Sequence, residues 1–159
     1  MEKQIENYIE DNLRGEAQVV ALEFVSFLRN NGIVFYKDNC PCWRDKVYYW
    51  LKCENACVGF LAIKDPDEPQ NLWTVWCDDG NTDWADTHGM EDALIRIGYA
   101  NIDYCGYCGS CSGGRTRMIL GRSFDNVCNC TFRFDNPTGK DLPFMKRMVE
   151  IRRRDILNP

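Results

Sequence analysis

Histidine is nearly missing from this chain of 159 residues, which carries one, His88. A single imidazole excludes the usual two-histidine metal sites and the facial triad built on them. An excess of positive charge is missing as well, since 19 Lys and Arg face 24 Asp and Glu for a net charge of -5. A general nucleic-acid binder needs a positive field to draw in phosphates, so overall charge argues against that role. Only a local patch of Lys146, Arg147 and Arg152 to Arg154 leaves a contact of that kind open. Nowhere does an apolar run approach the roughly 18 residues of a membrane span. The opening MEKQIENYIEDNLRGE is acidic and amphipathic and has no continuous apolar stretch, which excludes an ordinary secretory signal. Repeats, low-complexity tracts and linkers are absent too. The expectation is one domain over residues 1–159, cytoplasmic, with no membrane association.

What the chain does have is ten cysteines and a wealth of rings: five Trp, seven Tyr and eight Phe. In a reducing compartment closely spaced thiols serve as metal ligands or redox groups more often than as structural disulfides.

Hydrophobic spacing assigns the elements. Ile5, Tyr8, Ile9 and Leu13 share one helical face, and Val20, Phe24, Phe27 and Leu28 share another. Gly15 lies between the stripes, so the spacing predicts two helices or one with a weak joint, stopped at Asn30-Asn31-Gly32. Residues 47–51, 57–63 and 72–77 are short, aromatic or β-branched, and bounded by turn residues, so they read as strands. Glu54-Asn55-Ala56 is short enough for a hairpin between the first two. An acidic loop from Asp78 to Asp86 and a short helix from Met90 to Ile97 follow. Residues 117–120 and 127–134 read as another strand pair, and a last helix runs from about Leu142 to Ile156, with Pro143 in its tolerant first turn. The class is α+β: an antiparallel sheet with N-terminal helix or helices and a C-terminal helix.

The stretch CGYCGSCSGG, residues 105–114, concentrates the chemistry. A tetrahedral zinc site takes four thiolate or imidazole ligands that often arrive as close pairs from turns. Cys105-Gly-Tyr-Cys108-Gly109 is such a knuckle: one tight turn aims both sulfurs at one ion, and the glycine lets backbone N–H groups face the thiolates. Cys111 supplies a third corner. The fourth comes from Cys128-Asn-Cys130, where strand alternation puts both cysteines on the face of Phe132 and Phe134. Cys128, nearer the strand's start, is the chosen ligand, and Cys130 is a small core residue. The metal set is therefore Cys105, Cys108, Cys111 and Cys128, with zinc first. An iron–sulfur cluster ranks second, because CxxCxxC opens the bacterial ferredoxin run but the Cys-Pro that completes it is replaced by Ser112-Gly-Gly-Arg115.

The alternative is a thiol–disulfide redox protein using Cys105 and Cys108. Such sites gain thiolate stability from a helix that begins at once, whereas Gly109-Ser-Cys-Ser-Gly-Gly114 is a poor helix start. The same segment with Arg115-Thr116 has P-loop spacing apart from Arg in place of Lys, but no buried strand precedes it and no helix follows. Asp79-Gly-Asn81-Thr-Asp83 alternates oxygen ligands like a calcium loop, yet Trp84 and Met90 occupy the positions that need Gly and Glu, so a solvated turn is expected. His88 beside Asp86 reads as a turn residue. Cys53 and Cys57 flank the hairpin turn and could face each other. Cys40-Pro-Cys42 with Cys77 is a candidate second metal site of lower rank. The arginines ending the last helix read as a solvated face favouring the helix dipole.

Trp43, Tyr48, Tyr49, Trp50, Phe60, Trp73, Trp76 and Trp84 gather around the three aromatic strands, mostly as core. So many rings on one sheet can also leave a concave apolar pocket with a few polar handles.

The ordered combination of Asn101-Ile-Asp-Tyr-Cys105 through Cys111, Gly113-Gly114, Ile119-Leu-Gly121, Phe124-Asp-Asn-Val-Cys128 and Phe132-Arg-Phe-Asp-Asn-Pro137 resembles a group of small cysteine-rich bacterial proteins common in Firmicutes. The likeness spans about the last third of the chain. It implies a bacterial, cytoplasmic setting and the treatment of Cys105, Cys108, Cys111 and Cys128 as a set, and it implies no reaction. The sequence expectation is thus a non-enzymatic zinc-stabilised domain that binds a small molecule or protein partner through an aromatic-rich sheet.

Overall fold

Two helices come first, α1 (Ile5–Asn12) and α2 (Gly15–Asn30). Leu13 and Arg14 between them are extended, and Gly15 adopts a φ of 59°, so the weak joint is a true break. Ile5, Ile9, Leu13, Val20, Phe24 and Leu28 are all buried, as their spacing requires. The computed structural model describes residues 3–38, 46–78, 80–109 and 111–159. Trp43, the Cys40-Pro-Cys42 element and Asp79 of the calcium-like loop lie outside them.

A meander follows: β1 (Val34–Lys37), β2 (Val47–Cys53), β3 (Ala56–Ile63) and β4 (Trp73–Cys77). The β2–β3 turn places Glu54 and Asn55 at φ of 49° and 69°, the two-residue hairpin whose twist matches its strands. Cys57 then pairs in register with Lys52 and not with Cys53, and both cysteines are buried. After α3 (Asp92–Ala100) come β5 (Ile102–Tyr104), β6 (Arg115–Ile119), the long β7 (Arg122–Asp135) and α4 (Leu142–Leu157). The strands form one antiparallel sheet in the order β1-β2-β3-β4-β7-β5, with β6 paired to β7. This is the expected α+β class. The short strands β1 and β5 were not anticipated, and α3 begins two residues later than its apolar stripe suggested.

The helices cover one face of the sheet. Tyr49, Leu51, Leu61, Ile63, Val75, Phe132 and Phe134 join Phe24, Phe144, Met145 and Met148 in one buried cluster. At about 1.5–3 kcal/mol per fully buried large apolar side chain, this layer is the main source of stability. The opposite face carries Tyr36, Tyr48, Trp50, Phe60 and Trp76. Tyr48 stacks on Phe60 at 5.8 Å, Trp50 meets Phe60 edge-on at 4.8 Å, and Tyr48 meets Trp76 at 5.9 Å. Trp50 and Tyr36 are 37% and 46% exposed.

One sequence expectation is corrected here. The arginine-rich end of α4 is no loose solvated face. Arg152 is buried and donates to the Cys57 carbonyl at 3.0 Å and to Thr82 Oγ1 at 3.2 Å, Arg153 donates to the Asn31 carbonyl at 2.8 Å, and Arg154 meets His88 Nδ1 at 3.3 Å. Their long stems let the guanidinium groups reach back onto these carbonyls and side chains. The acidic loop likewise starts inside the protein. Asp78 is fully buried and accepts hydrogen bonds from the N–H groups of Gly80 and Thr82 and from the Thr131 hydroxyl. Hydrogen bonds of this kind compensate its lost hydration.

Candidate metal centre

The cysteine loop leaves the sheet after β5 and returns as β6. Its entry is fixed by β7: the Cys105 N–H donates to the Asn126 carbonyl at 2.8 Å, and the Asn126 side chain donates to the Cys105 carbonyl at 3.3 Å. Its exit is fixed by Gly114, where an added Cβ would come within 2.3 Å of Asn126 Oδ1 and 2.7 Å of its carbonyl carbon. Only a glycine lets the two segments approach so closely.

Between those anchors the backbone curls around sulfur. The Tyr107 N–H points at Cys105 Sγ at 3.4 Å, and the Gly113 N–H points at Cys111 Sγ at 3.5 Å. Tyr107 and Gly109 hold positive φ of 56° and 83°, which turns the chain after the first cysteine as the knuckle requires. Backbone N–H groups turned toward a sulfur stabilise negative charge on it.

Cys105, Cys108, Cys111 and Cys128 line a single cavity of about 150 Å³, together with Tyr107 and the loop glycines. The four cysteines selected by spacing thus converge on one space. Cys105 and Cys128 are half-buried and Cys108 and Cys111 exposed, so the space opens on the loop side. The convergence is loose: among the described residues no three Cys, His, Asp or Glu side chains are gathered closely enough to hold a metal ion as they stand.

Cys130 departs from its expected place. Val127 and Phe132 are both fully buried although an alternating strand would send them to opposite faces. The register explains this, because Ile102 pairs with Phe132 and Tyr104 with Val127, so β7 carries extra residues opposite β5. Such a bulge resets the side-chain parity. Cys130 is therefore half-buried outside the Phe132–Phe134 row and has Cys128, Asp103, Asp78 and Cys57 for electrostatic neighbours.

Burial raises the Cys128 thiol above its ordinary range, and the nearby Asp103 carboxyl, which hydrogen-bonds it, adds to the rise. Burial also pushes up Cys130, and pushes Cys77 far up. Raised thiols are poor nucleophiles on their own and need a cation to ionise. The next described element after Cys108 is the strand β6 and not a helix, so the pair does not sit at the helix start whose dipole activates redox CxxC pairs. Asp103 was not anticipated from the sequence. Its signal was the alternation Ile102-Asp103-Tyr104 beside the loop, too short to read as a strand. His88 is a turn residue, as expected, with φ of 54°, Nε2 near the Asp83 carbonyl at 3.1 Å and its own carbonyl accepting from Arg147 at 2.8 Å.

No family model, no curated protein and no solved structure matches the chain. No helix among the described residues is long and apolar enough to cross a membrane.

Proposed function

We propose that this chain is a non-enzymatic metal-stabilised domain in which Cys105, Cys108, Cys111 and Cys128 take a zinc ion, and in which the aromatic outer face of the sheet receives a small molecule or a protein partner. The observation that carries the metal half is the meeting of four cysteines, three from the loop and one from β7, around one cavity. The turned N–H groups at Cys105 and Cys111 support it, because they lower the cost of thiolate charge. The raised Cys128 thiol fits a sulfur that gives up its proton to a metal and keeps it otherwise. Metal binding would draw the loose loop into a tetrahedron with zinc–sulfur distances of about 2.3 Å. Such a site can contribute on the order of 10 kcal/mol of apparent folding free energy at neutral pH. The aromatic half rests on the ring contacts of the outer face.

Elemental analysis of protein purified without added metal tests the metal half. The expected result is about one zinc per chain, lost in Cys128→Ser. Less than about a tenth of an equivalent of any transition metal would overturn it, and a coloured protein releasing iron and sulfide would transfer the site to a cluster.

A further inference from the structure

A second cavity lies across Asp103 from the thiols. It is a cleft of about 670 Å³ between the β3–β4 loop, the C-terminal end of α3, β5 and the end of β7. Its size falls within the range of about 300–1,000 Å³ typical of small-molecule sites. Its lining is polar, and the charges do not balance. Arg133 is the one cation among the described lining residues, and it is already held by two carboxylates, Asp135 at 2.9 Å and Glu68 at 2.5 Å. The half-buried Asp103 adds a third carboxyl. Ala100 and Asn101 at the end of α3 also line the cleft, so the negative pole of that helix faces it. A positively charged ligand group is what this surface lacks. Carboxamides of Asn71 and Asn101 stand beside the carboxyl groups.

The cleft borders the aromatic face through Arg133. β4 pairs Trp76 with Arg133 and Thr74 with Asp135, and the Arg133 guanidinium lies 5.2 Å from the Trp76 ring centre. Trp76 in turn meets Tyr48. We propose that the cleft binds the protonated amine of a small organic cation, whose apolar or ring portion lies along Trp76 and Tyr48. This rests on the sheet-face half of the reading above and not on the metal.

The test is a titration of the as-purified protein, followed by amide NMR shifts, with tyramine, 4-ethylphenol and putrescine. Tyramine is expected to bind at least about tenfold more tightly than 4-ethylphenol, which has the ring without the amine, with shifts at Asn101 to Asp103 and Arg133. Asp103→Asn should reduce tyramine affinity about tenfold. Gln70→Lys, which places a competing ammonium at the cleft from an exposed loop position, should do the same without touching the core and leave 4-ethylphenol unchanged. Putrescine binding in the cleft while neither ring compound shifts the sheet would uphold the amine site and remove the aromatic face. Equal affinity for tyramine and 4-ethylphenol, no effect of either substitution, or no binding of any amine would overturn the proposal.

Discussion

The helix-backed half of the sheet and the cysteine-bearing half are built on opposite principles. In the first, β2, β3 and β4 lie under α1, α2 and α4, and stability comes from rings and aliphatic chains removed from water. In the second, the loop between β5 and β6 buries little. It is held by Asn126, by the close approach at Gly114 and by N–H groups turned onto sulfur. The first half draws on that buried layer. The second has too few apolar contacts to be rigid alone, which is the situation in which small protein segments recruit a metal.

The comparison can be broken most forcefully from the helical side. Phe24 is fully buried in α2, and Phe24→Ala should cost about 3–5 kcal/mol through lost transfer energy and a residual cavity. Urea unfolding should report that loss at an equal size with and without a chelator, because the site of damage is remote from the thiols. A loss that depends on metal would mean that the two halves are one cooperative unit in which the loop props up the core.

A smaller effect is expected at Gly114. The added methyl of Gly114→Ala must displace Asn126, and overpacking of this kind costs about 1–3 kcal/mol. The sharper readout is metal content, which should fall because the exit of the loop moves away from Cys128. Undiminished zinc in a folded Gly114→Ala protein would show that the loop anchors do not position the ligands.

The smallest effect belongs to the surface pair Glu6–Arg29, which joins α1 to α2. The hydrogen bond from Arg29 holds the Glu6 carboxyl below its ordinary range. A depressed folded pKa contributes stability that is present above the unfolded carboxylate value, at neutral pH, and is lost as pH falls through the folded value. Both groups are partly exposed, so Glu6→Gln should cost no more than about 1 kcal/mol at pH 7, and less in high salt. Thermal melts at pH 7 and in acid should converge for the two proteins, and a gap that widens in acid would contradict the assignment.

How much of this was legible depended on the length of the signal. The three aromatic strands, the two N-terminal helical stripes and α4 announced themselves through sustained periodicity, while the break at Gly15 stayed open between two helices and one with a weak joint. Strand β1 follows directly on the helix stop at Gly32 and has four residues, and β5 has three, so neither offers enough alternation to separate from loop. The four thiols that share a cavity were readable from spacing. The parity of Cys130 was not, because the bulge in β7 is set by its partner β5 and leaves no mark in the sequence of β7 itself. The acidic cleft was invisible for a related reason: its carboxyl groups come from three distant segments that meet only when the sheet is complete.

The position of β7 also governs how the protein can be made. β4 finds its neighbour on that late strand, across α3 and the whole cysteine loop, so a nascent chain carries the β1–β4 meander with one long side unpaired until β7 has left the ribosome. During that interval an open row of N–H and C=O groups on Trp73–Cys77 is a template for another chain, and any truncation upstream of Arg122 would make the hazard permanent.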